Sequence, residues 1–135
     1  MLFEKVEKNE KDIVFVYTTC GGLEEAREIG LSAVEEKLAI SADYWIINSI
    51  YPWKNFIQEI DQYMIMFATE EPLSGKLIKH IEVSHTYNVP MIVKCCTSMA
   101  NPAYLFWVNT TLSSNGRYDK EIQKEVKNEQ YQKLK

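Results

Sequence analysis

The fold of this chain is decided by one stretch, residues 41–69 (SADYWIINSIYPWKNFIQEIDQYMIMFAT), which predicts a long β-hairpin. Its first arm contains YWIINSIY at residues 44–51 and its second arm contains YMIMF at residues 63–67, both rich in β-branched and aromatic side chains. Neither arm has the spacing of an amphipathic helix, and the polar joint at residues 53–55 (WKN) is short. The rest of the chain is therefore predicted to cover, extend or seal this hairpin.

The segments on either side of the hairpin supply two more strands and two helices. Residues 13–19 (IVFVYTT) and 91–97 (MIVKCCT) are apolar runs of strand length. Residues 23–38 carry a helical apolar stripe, and a second helix is predicted to begin at Pro72 and to end before Asn88. The order strand, helix, strand, strand, helix, strand predicts an α+β protein with a ferredoxin-like (βαββαβ) sandwich fold.

An extra helix follows this unit, and both ends of the chain are polar. Asn101 and Pro102 combine an N-cap residue with a first-turn proline and predict a short aromatic helix. The composition then shifts to Lys, Glu and Gln. We predict three parts: a polar leader at 1–12, one domain at 13–112 and a charged C-terminal tail at 113–135.

Length, charge and cysteine content narrow the class of protein. A chain of 135 residues is large enough for one domain whose core needs no disulfide or metal. A net charge of −4 argues against a nucleic-acid partner, and no apolar run approaches the ~20 residues that a membrane helix needs. Cys20, Cys95 and Cys96 form no CxxC pair and are predicted to be free thiols in a reducing cytosol. We therefore predict a cytoplasmic protein with neither nucleic acid nor membrane as partner.

The predicted strands are apolar on both faces, which indicates self-association. Val14 and Val16 face one side of their strand, and Phe15 and Tyr17 face the other. In the ferredoxin-like fold both helices cover the same face of the sheet, so a ligand or another copy of the chain must bury the second face. The hairpin arms are also longer than their neighbours and leave strand edges free. We predict a homo-oligomer.

No catalytic group is predicted. His80 and His85 fall on the same predicted helix, and the sequence places no Ser or Cys nucleophile beside them. The sequence also contains no glycine-rich phosphate loop of the Walker type. The chain is therefore predicted not to be an enzyme.

Short motifs spread over residues 13–112 carry a resemblance to one family. In chain order they are TTC at 18–20, EAREI at 25–29, EKLA at 36–39, SIYPW at 49–53, HTYNVP at 85–90 and NPAYLFW at 101–107. In this order and spacing they resemble the CutA family of divalent-cation tolerance proteins. The resemblance implies a ferredoxin-like subunit that forms a homotrimer, with the long hairpins pairing between subunits, as in the architecture of the nitrogen-signalling PII proteins.

The resemblance also implies a metal site. Cys20 and His85 correspond to family positions proposed as copper ligands, and thiolate and imidazole suit copper or another divalent cation. Met91 stands where the family has a carboxylate and is a possible third ligand. The structural alternatives are a small buried side chain for Cys20 and a bond to the last helix carbonyls for His85.

Aromatic residues within the matching motifs are candidates for a cleft between subunits, because rings with polar tips suit such places. Core packing explains most of them equally well. The candidates are Tyr51, Trp53, Tyr87, Tyr104 and Trp107.

Three functions remain open at this point. The leading hypothesis is a trimeric CutA-like protein in divalent-cation (copper) tolerance, acting by binding metal or through an unknown protein partner. The alternative is a PII-like signalling module that binds a small molecule at subunit interfaces. An RNA-binding module shares the strand order but ranks last, because the chain is acidic and residues 60–67 lack the basic and glycine residues of that class.

Overall fold

The computed structural model describes residues 10–119 and has the predicted ferredoxin-like sandwich with an extra helix. Its four strands form one antiparallel sheet in the order β2-β3-β1-β4. Most of the predicted leader (1–12) and tail (113–135) lies outside the described residues. The elements are β1 (Ile13–Cys20), α1 (Leu23–Glu35), β2 (Ser41–Trp53), β3 (Phe56–Glu70), α2 (Ser74–Ser84), β4 (Ile92–Cys96) and α3 (Pro102–Ser113).

The long hairpin is confirmed as the largest feature of the sheet. β2 and β3 pair continuously from Ser41 opposite Ala68 to Trp53 opposite Phe56. The two residues between the strands have positive φ angles, 50° and 69°, which are the angles of a type I′ turn. This turn matches the twist of the two strands, so the ladder runs to the end of the hairpin.

The first helix ends three residues before its predicted end at residue 38. Lys37 adopts the left-handed conformation (φ 58°), its N–H donates to Val34, and the N–H of Leu38 donates to Ala33. These two bonds form a Schellman motif, in which glycine is the usual left-handed residue. The Lys37 ammonium is anchored by the carbonyl and hydroxyl oxygens of Ser114, at 2.8 and 3.0 Å.

The second helix is also shorter than predicted. Pro72 lies in a separate 3₁₀ turn (Glu71–Leu73), and α2 begins only at Ser74. At the other end, α2 stops at Ser84, and His85 has extended angles (φ −78°, ψ 142°). The prediction that His80 and His85 share one helix was therefore wrong for His85.

Two apolar clusters occupy opposite faces of the sheet. Val16, Ile65 and Phe67 pack beneath α1 and α2. Ile13 and Ala68 occupy the alternate positions of β1 and β3. Their side chains therefore point to the other face of the sheet and pack against α3. The chain therefore covers one end of the face that the sequence left open, and it does so with its own third helix.

The third helix begins as predicted but without its predicted cap. Asn101 occupies the N-cap position, with Pro102 as the first helical residue, yet the Asn101 side chain makes no capping hydrogen bond.

Half-buried side chains such as Tyr17 and Met66 lie on the same face of the sheet as Ile13 and Ala68. No helix within residues 10–119 is long and apolar enough to cross a membrane.

Candidate functional site

A cavity of about 670 Å³ lies where the β2–β3 hairpin meets the loop between α2 and β4. Tyr51, Trp53 and Tyr87, three of the predicted cleft residues, line it together with Met91. Tyr104 and Trp107 are not brought to this cavity. They lie on α3, with their ring centroids 6.0 Å apart, and Tyr104 packs in the cluster beneath that helix.

A carboxylate ties together the two loops beside the cavity. One oxygen of Glu25 accepts from the Gly21 N–H at 3.3 Å, and the other accepts from the N–H and hydroxyl of Thr86 at 3.0 and 2.7 Å. Partial burial by itself raises the pKa of Glu25, but these hydrogen bonds outweigh it and hold the pKa below 4.5. The charged carboxylate therefore fixes the turn after β1 against the loop after α2.

The ring of His85 makes a second connection between the same loops. Nε2 lies 2.7 Å from the carbonyl oxygen of Thr19, and Nδ1 lies 3.1 Å from the backbone nitrogen of Tyr87. Because a carbonyl can only accept, Nε2 must carry the proton and Nδ1 must accept from the Tyr87 N–H. Both ring nitrogens are thus engaged. The predicted bond to the last helix carbonyls is replaced by one to β1.

A third connection runs from this loop to the floor of the cavity. The Tyr87 hydroxyl donates to Oε1 of Gln62 at 2.9 Å, and Gln62 is only 5% exposed. Burial raises the pKa of Tyr87, and the nearby Tyr51 adds to the effect. The hydroxyl therefore stays protonated and keeps its role as donor.

Two of the predicted metal ligands, Cys20 and His85, are held in other environments in the structure. Cys20 is fully buried in the core beneath the helices, and burial raises the pKa of its thiol to about 11. Metal binding needs a thiolate and a free imidazole lone pair, whereas both nitrogens of His85 are engaged. Within residues 10–119 no three His, Cys, Asp or Glu side chains are grouped to hold a metal ion. The assignment of Cys20, His85 and Met91 as ligands stays a prediction.

Comparison with known proteins decides the family. The family model described as CutA1 divalent ion tolerance protein matches residues 14–111. The chain belongs to the CutA1 family.

Relatives of this CutA1 family member occur in eukaryotes and archaea. Protein CutA of Mus musculus is 31% identical over 99 residues, which are 73% of this chain and 56% of the mouse protein. The chain thus spans little more than half the length of that relative. The divalent-cation tolerance protein CutA of Thermococcus kodakarensis is 29% identical over 101 residues, 75% of this chain and 97% of that protein.

A solved structure gives the same result for the fold. The crystal structure of the divalent ion tolerance protein CutA1 from Ehrlichia chaffeensis superposes with a TM-score of 0.74 at 28% identity. The match covers 77% of this chain and 98% of that one.

Sequence reasoning missed one polar cluster in this CutA1 chain. Ser32 Oγ lies 2.8 Å from Nε2 of His80, and Nδ1 of His80 lies 3.3 Å from a carboxylate oxygen of Glu36. Sequence reasoning placed no serine beside His80, whereas the fold brings Ser32 there. The i, i+4 spacing of Ser32 and Glu36 could have suggested a shared helix face, but the sequence could not place His80 opposite it.

The three side chains contact one another in the sequence Ser, His, Glu, as in a catalytic triad. The described residues around Ser32 do not supply the oxyanion hole that such a site needs. Ser32 lies within α1, where the helix ladder uses the backbone N–H groups that an oxyanion hole would need. The Ser32 hydroxyl also lies 3.1 Å from the carbonyl of Ile29. We interpret the cluster as a polar link between α1 and α2.

Proposed function

We propose that this CutA1 family member acts in divalent-cation tolerance, copper included, as a homotrimer. The family match over residues 14–111 supports the role in cation tolerance, and the observation that carries the assembly is the free edge of β3. β1 pairs with β3 only from Tyr63 onward, so residues 56–62 have β2 on one side and no strand on the other within the described chain. An exposed strand edge of this length is a template for a strand of another copy.

Exposed apolar side chains along the same segment support the proposal. Ile50, Phe56 and Ile57 are 69–74% exposed, in the part of the hairpin where β2 and β3 pair only with each other. On α3, Phe106 and the predicted interface residue Trp107 are exposed as well. Burying these side chains on association would supply free energy of association.

Light scattering on size-fractionated protein tests the assembly. We expect three times the monomer mass for the wild type, and a lower mass for Ile57→Lys, which places a charge on the free edge. Val83→Lys is the matched control, because Val83 is equally exposed (75%) but lies on α2. A monomeric wild type, or equal behaviour of the two variants, would contradict the proposal.

We further propose that the cation response depends on the surfaces of this assembly more than on a preformed metal centre. The supporting geometry is the engaged ring of His85 and the buried, protonated thiol of Cys20. Direct binding would require the ring to leave Thr19 and the thiol to lose its proton.

Calorimetric titration of reduced protein with Cu(I), Cu(II) and Zn(II) tests direct metal binding. The variants are Cys20→Ser and His85→Ala, with Cys96→Ser and His80→Ala as controls. Binding near one ion per chain that only the first two variants abolish would establish the Cys20–His85 site, and loss in Met91→Leu would add the third ligand. Absent binding, or binding that all four variants keep, is the expected result.

The cavity favours a second candidate, a PII-like module that binds a small molecule. Its volume lies in the range of ~300–1,000 Å³ typical of ligand sites, and aromatic walls surround polar groups from Gln62 and Tyr87. Mass spectrometry of protein exposed to cell extract would detect a retained small molecule. Recovery of the bare chain after every extract would count against this candidate.

We also propose a cytoplasmic location. Cys95 and Cys96 are exposed free thiols, which persist in a reducing compartment. Immunodetection after cell fractionation checks this, and recovery of the protein outside the cytosolic fraction would contradict it.

A further inference from the structure

We propose that the cavity binds an uncharged, largely apolar small molecule with a carbonyl oxygen, and that the side-chain amide of Gln62 recognises this oxygen. The inference rests on the small-molecule candidate described above and narrows it to one chemical class. It does not depend on metal binding.

The first argument is the incomplete hydrogen bonding of Gln62. Its Oε1 accepts from Tyr87, but its amide nitrogen makes no hydrogen bond to any residue in the described part of the chain. The residue is 95% buried and lines the cavity. An amide that lines a cavity and has no acceptor among the described residues favours a ligand that supplies an oxygen.

The second argument is the absence of charged side chains from the described lining of the cavity. Of the described residues that line the cavity, none is Asp, Glu, Lys, Arg or His. A phosphate, sulfonate or ammonium group would enter without a partner and would lose its hydration. Lys54 lies 5.9 Å from the Trp53 ring centroid at the tip of the hairpin but is not part of the lining.

The third argument is the character of the walls. Trp53 and Tyr51 contribute aromatic surface, and Ile47, Ile60 and Met64 contribute aliphatic and thioether surface. Such walls gain most from a flat apolar body. The ligand class is therefore an aromatic or aliphatic ketone, amide or ester without ionised groups.

Two fluorescent probes of similar size test the proposal on the full chain. Prodan is an uncharged naphthalene ketone, and anilinonaphthalene sulfonate is a naphthalene of similar size with a negative charge. We expect saturable Prodan binding near one per chain with a blue-shifted emission, and at least tenfold weaker binding of the sulfonate.

Gln62→Leu removes the amide and keeps the size of the side chain. Loss of one hydrogen bond should weaken Prodan binding about fivefold to tenfold. Gln58→Leu is the matched control, because Gln58 lies on the same strand and the same face but outside the lining. It should leave Prodan binding unchanged.

Ser49→Trp provides a second variant, because it fills the cavity from β2 and leaves Gln62 in place. It should abolish Prodan binding. Full binding by Ser49→Trp, equal loss in the two glutamine variants, or no saturable Prodan binding by the wild type would overturn the inference. Tight binding of the sulfonate without Prodan binding would also overturn it and would leave the broader small-molecule function standing.

Discussion

His85 and Thr19 join two segments that are 66 residues apart, through an imidazole Nε2 placed 2.7 Å from a backbone carbonyl oxygen. Since Nδ1 of the same ring accepts the N–H of Tyr87, the neutral ring has one tautomer that satisfies both bonds. His80 has the opposite arrangement, because its Nδ1 faces the Glu36 carboxylate and its Nε2 faces the Ser32 hydroxyl. The two histidines of this chain are therefore expected to differ in tautomer.

Nitrogen-detected NMR of the imidazoles measures this difference. We expect the neutral His85 to carry its proton on Nε2 and the neutral His80 to carry its proton on Nδ1. His85→Ala should lower the free energy of unfolding by about 1–3 kcal/mol, because it removes two partly buried hydrogen bonds. Identical tautomers for both rings, or an unchanged urea midpoint for His85→Ala, would contradict the description of this loop.

The Glu25 carboxylate should make the protein more stable near neutral pH than in acid. Its pKa in the folded chain is below 4.5, so the unfolded chain binds the proton more readily. The stabilisation is therefore present above the unfolded pKa and is lost as the pH falls through the folded pKa. Solvent screening limits it to about 1 kcal/mol or less.

Urea denaturation of wild type and Glu25→Gln over a range of pH checks this effect. The difference in unfolding free energy should be largest near neutral pH and should vanish in acid. Glu24→Gln is the matched control, because both residues lie in the first turn of α1 and share its dipole. An equal effect of both substitutions would assign the stabilisation to the dipole and not to the bonds with Gly21 and Thr86.

The thiol of Cys20 should resist modification while the chain is folded. Cys20 is fully buried with a pKa of about 11, whereas Cys95 and Cys96 are exposed. In a chain with Cys95→Ser and Cys96→Ser, Ellman's reagent should react only after a denaturant is added. Rapid reaction of this double variant in native buffer would contradict the placement of Cys20.

Cys20 should also affect stability in alkaline solution. Because its folded pKa lies above the value of 9.0 for an unperturbed thiol, the unfolded chain loses the proton first as the pH rises. The wild type should therefore lose stability between about pH 9 and 11. Cys20→Ala should lack this contribution in the same denaturation series.

Two helical glycines should respond differently to substitution by alanine. A Cβ at Gly30 would lie 3.1 Å from the Cβ of Ala42 on β2, whereas a Cβ at Gly75 would meet nothing within 4 Å. Gly75→Ala should raise the unfolding free energy by up to about 1 kcal/mol through helix propensity. Gly30→Ala should gain less or lose stability, and Ala42→Gly should restore the gain. Equal gains at both positions would contradict the close approach of α1 to β2.

The long elements were predictable from the sequence because their patterns are local. The β-branched and aromatic content of residues 44–51 and 63–67 locates the hairpin, and the short polar joint locates its turn. The ends of the helices were harder to predict from the sequence. A lysine supplies the left-handed residue at position 37, where the pattern of glycine C-caps gives no signal, and its position is supported by a contact with Ser114.

The site was predictable only in part, because its geometry depends on contacts distant in sequence. Motif resemblance identified Tyr51, Trp53 and Tyr87, which do share a cavity, but it could not show that Gln62 binds Tyr87 there. It also could not show that both nitrogens of His85 are engaged, since one partner is a backbone carbonyl. Every residue type has a backbone carbonyl, so a hydrogen bond to one cannot be recognised from the pattern of residues.

The outer half of the hairpin has a consequence for the order in which this protein forms. Residues 56–62 are paired with β2 alone, and an isolated two-stranded ribbon is marginal in water. The sheet around β1 can fold from contacts within one chain, whereas in the proposed trimer the outer ribbon is stabilised by pairing with a neighbouring copy. Refolding should therefore show a late phase whose rate increases with protein concentration, and the last backbone segment to become protected from hydrogen exchange should be the tip of the hairpin.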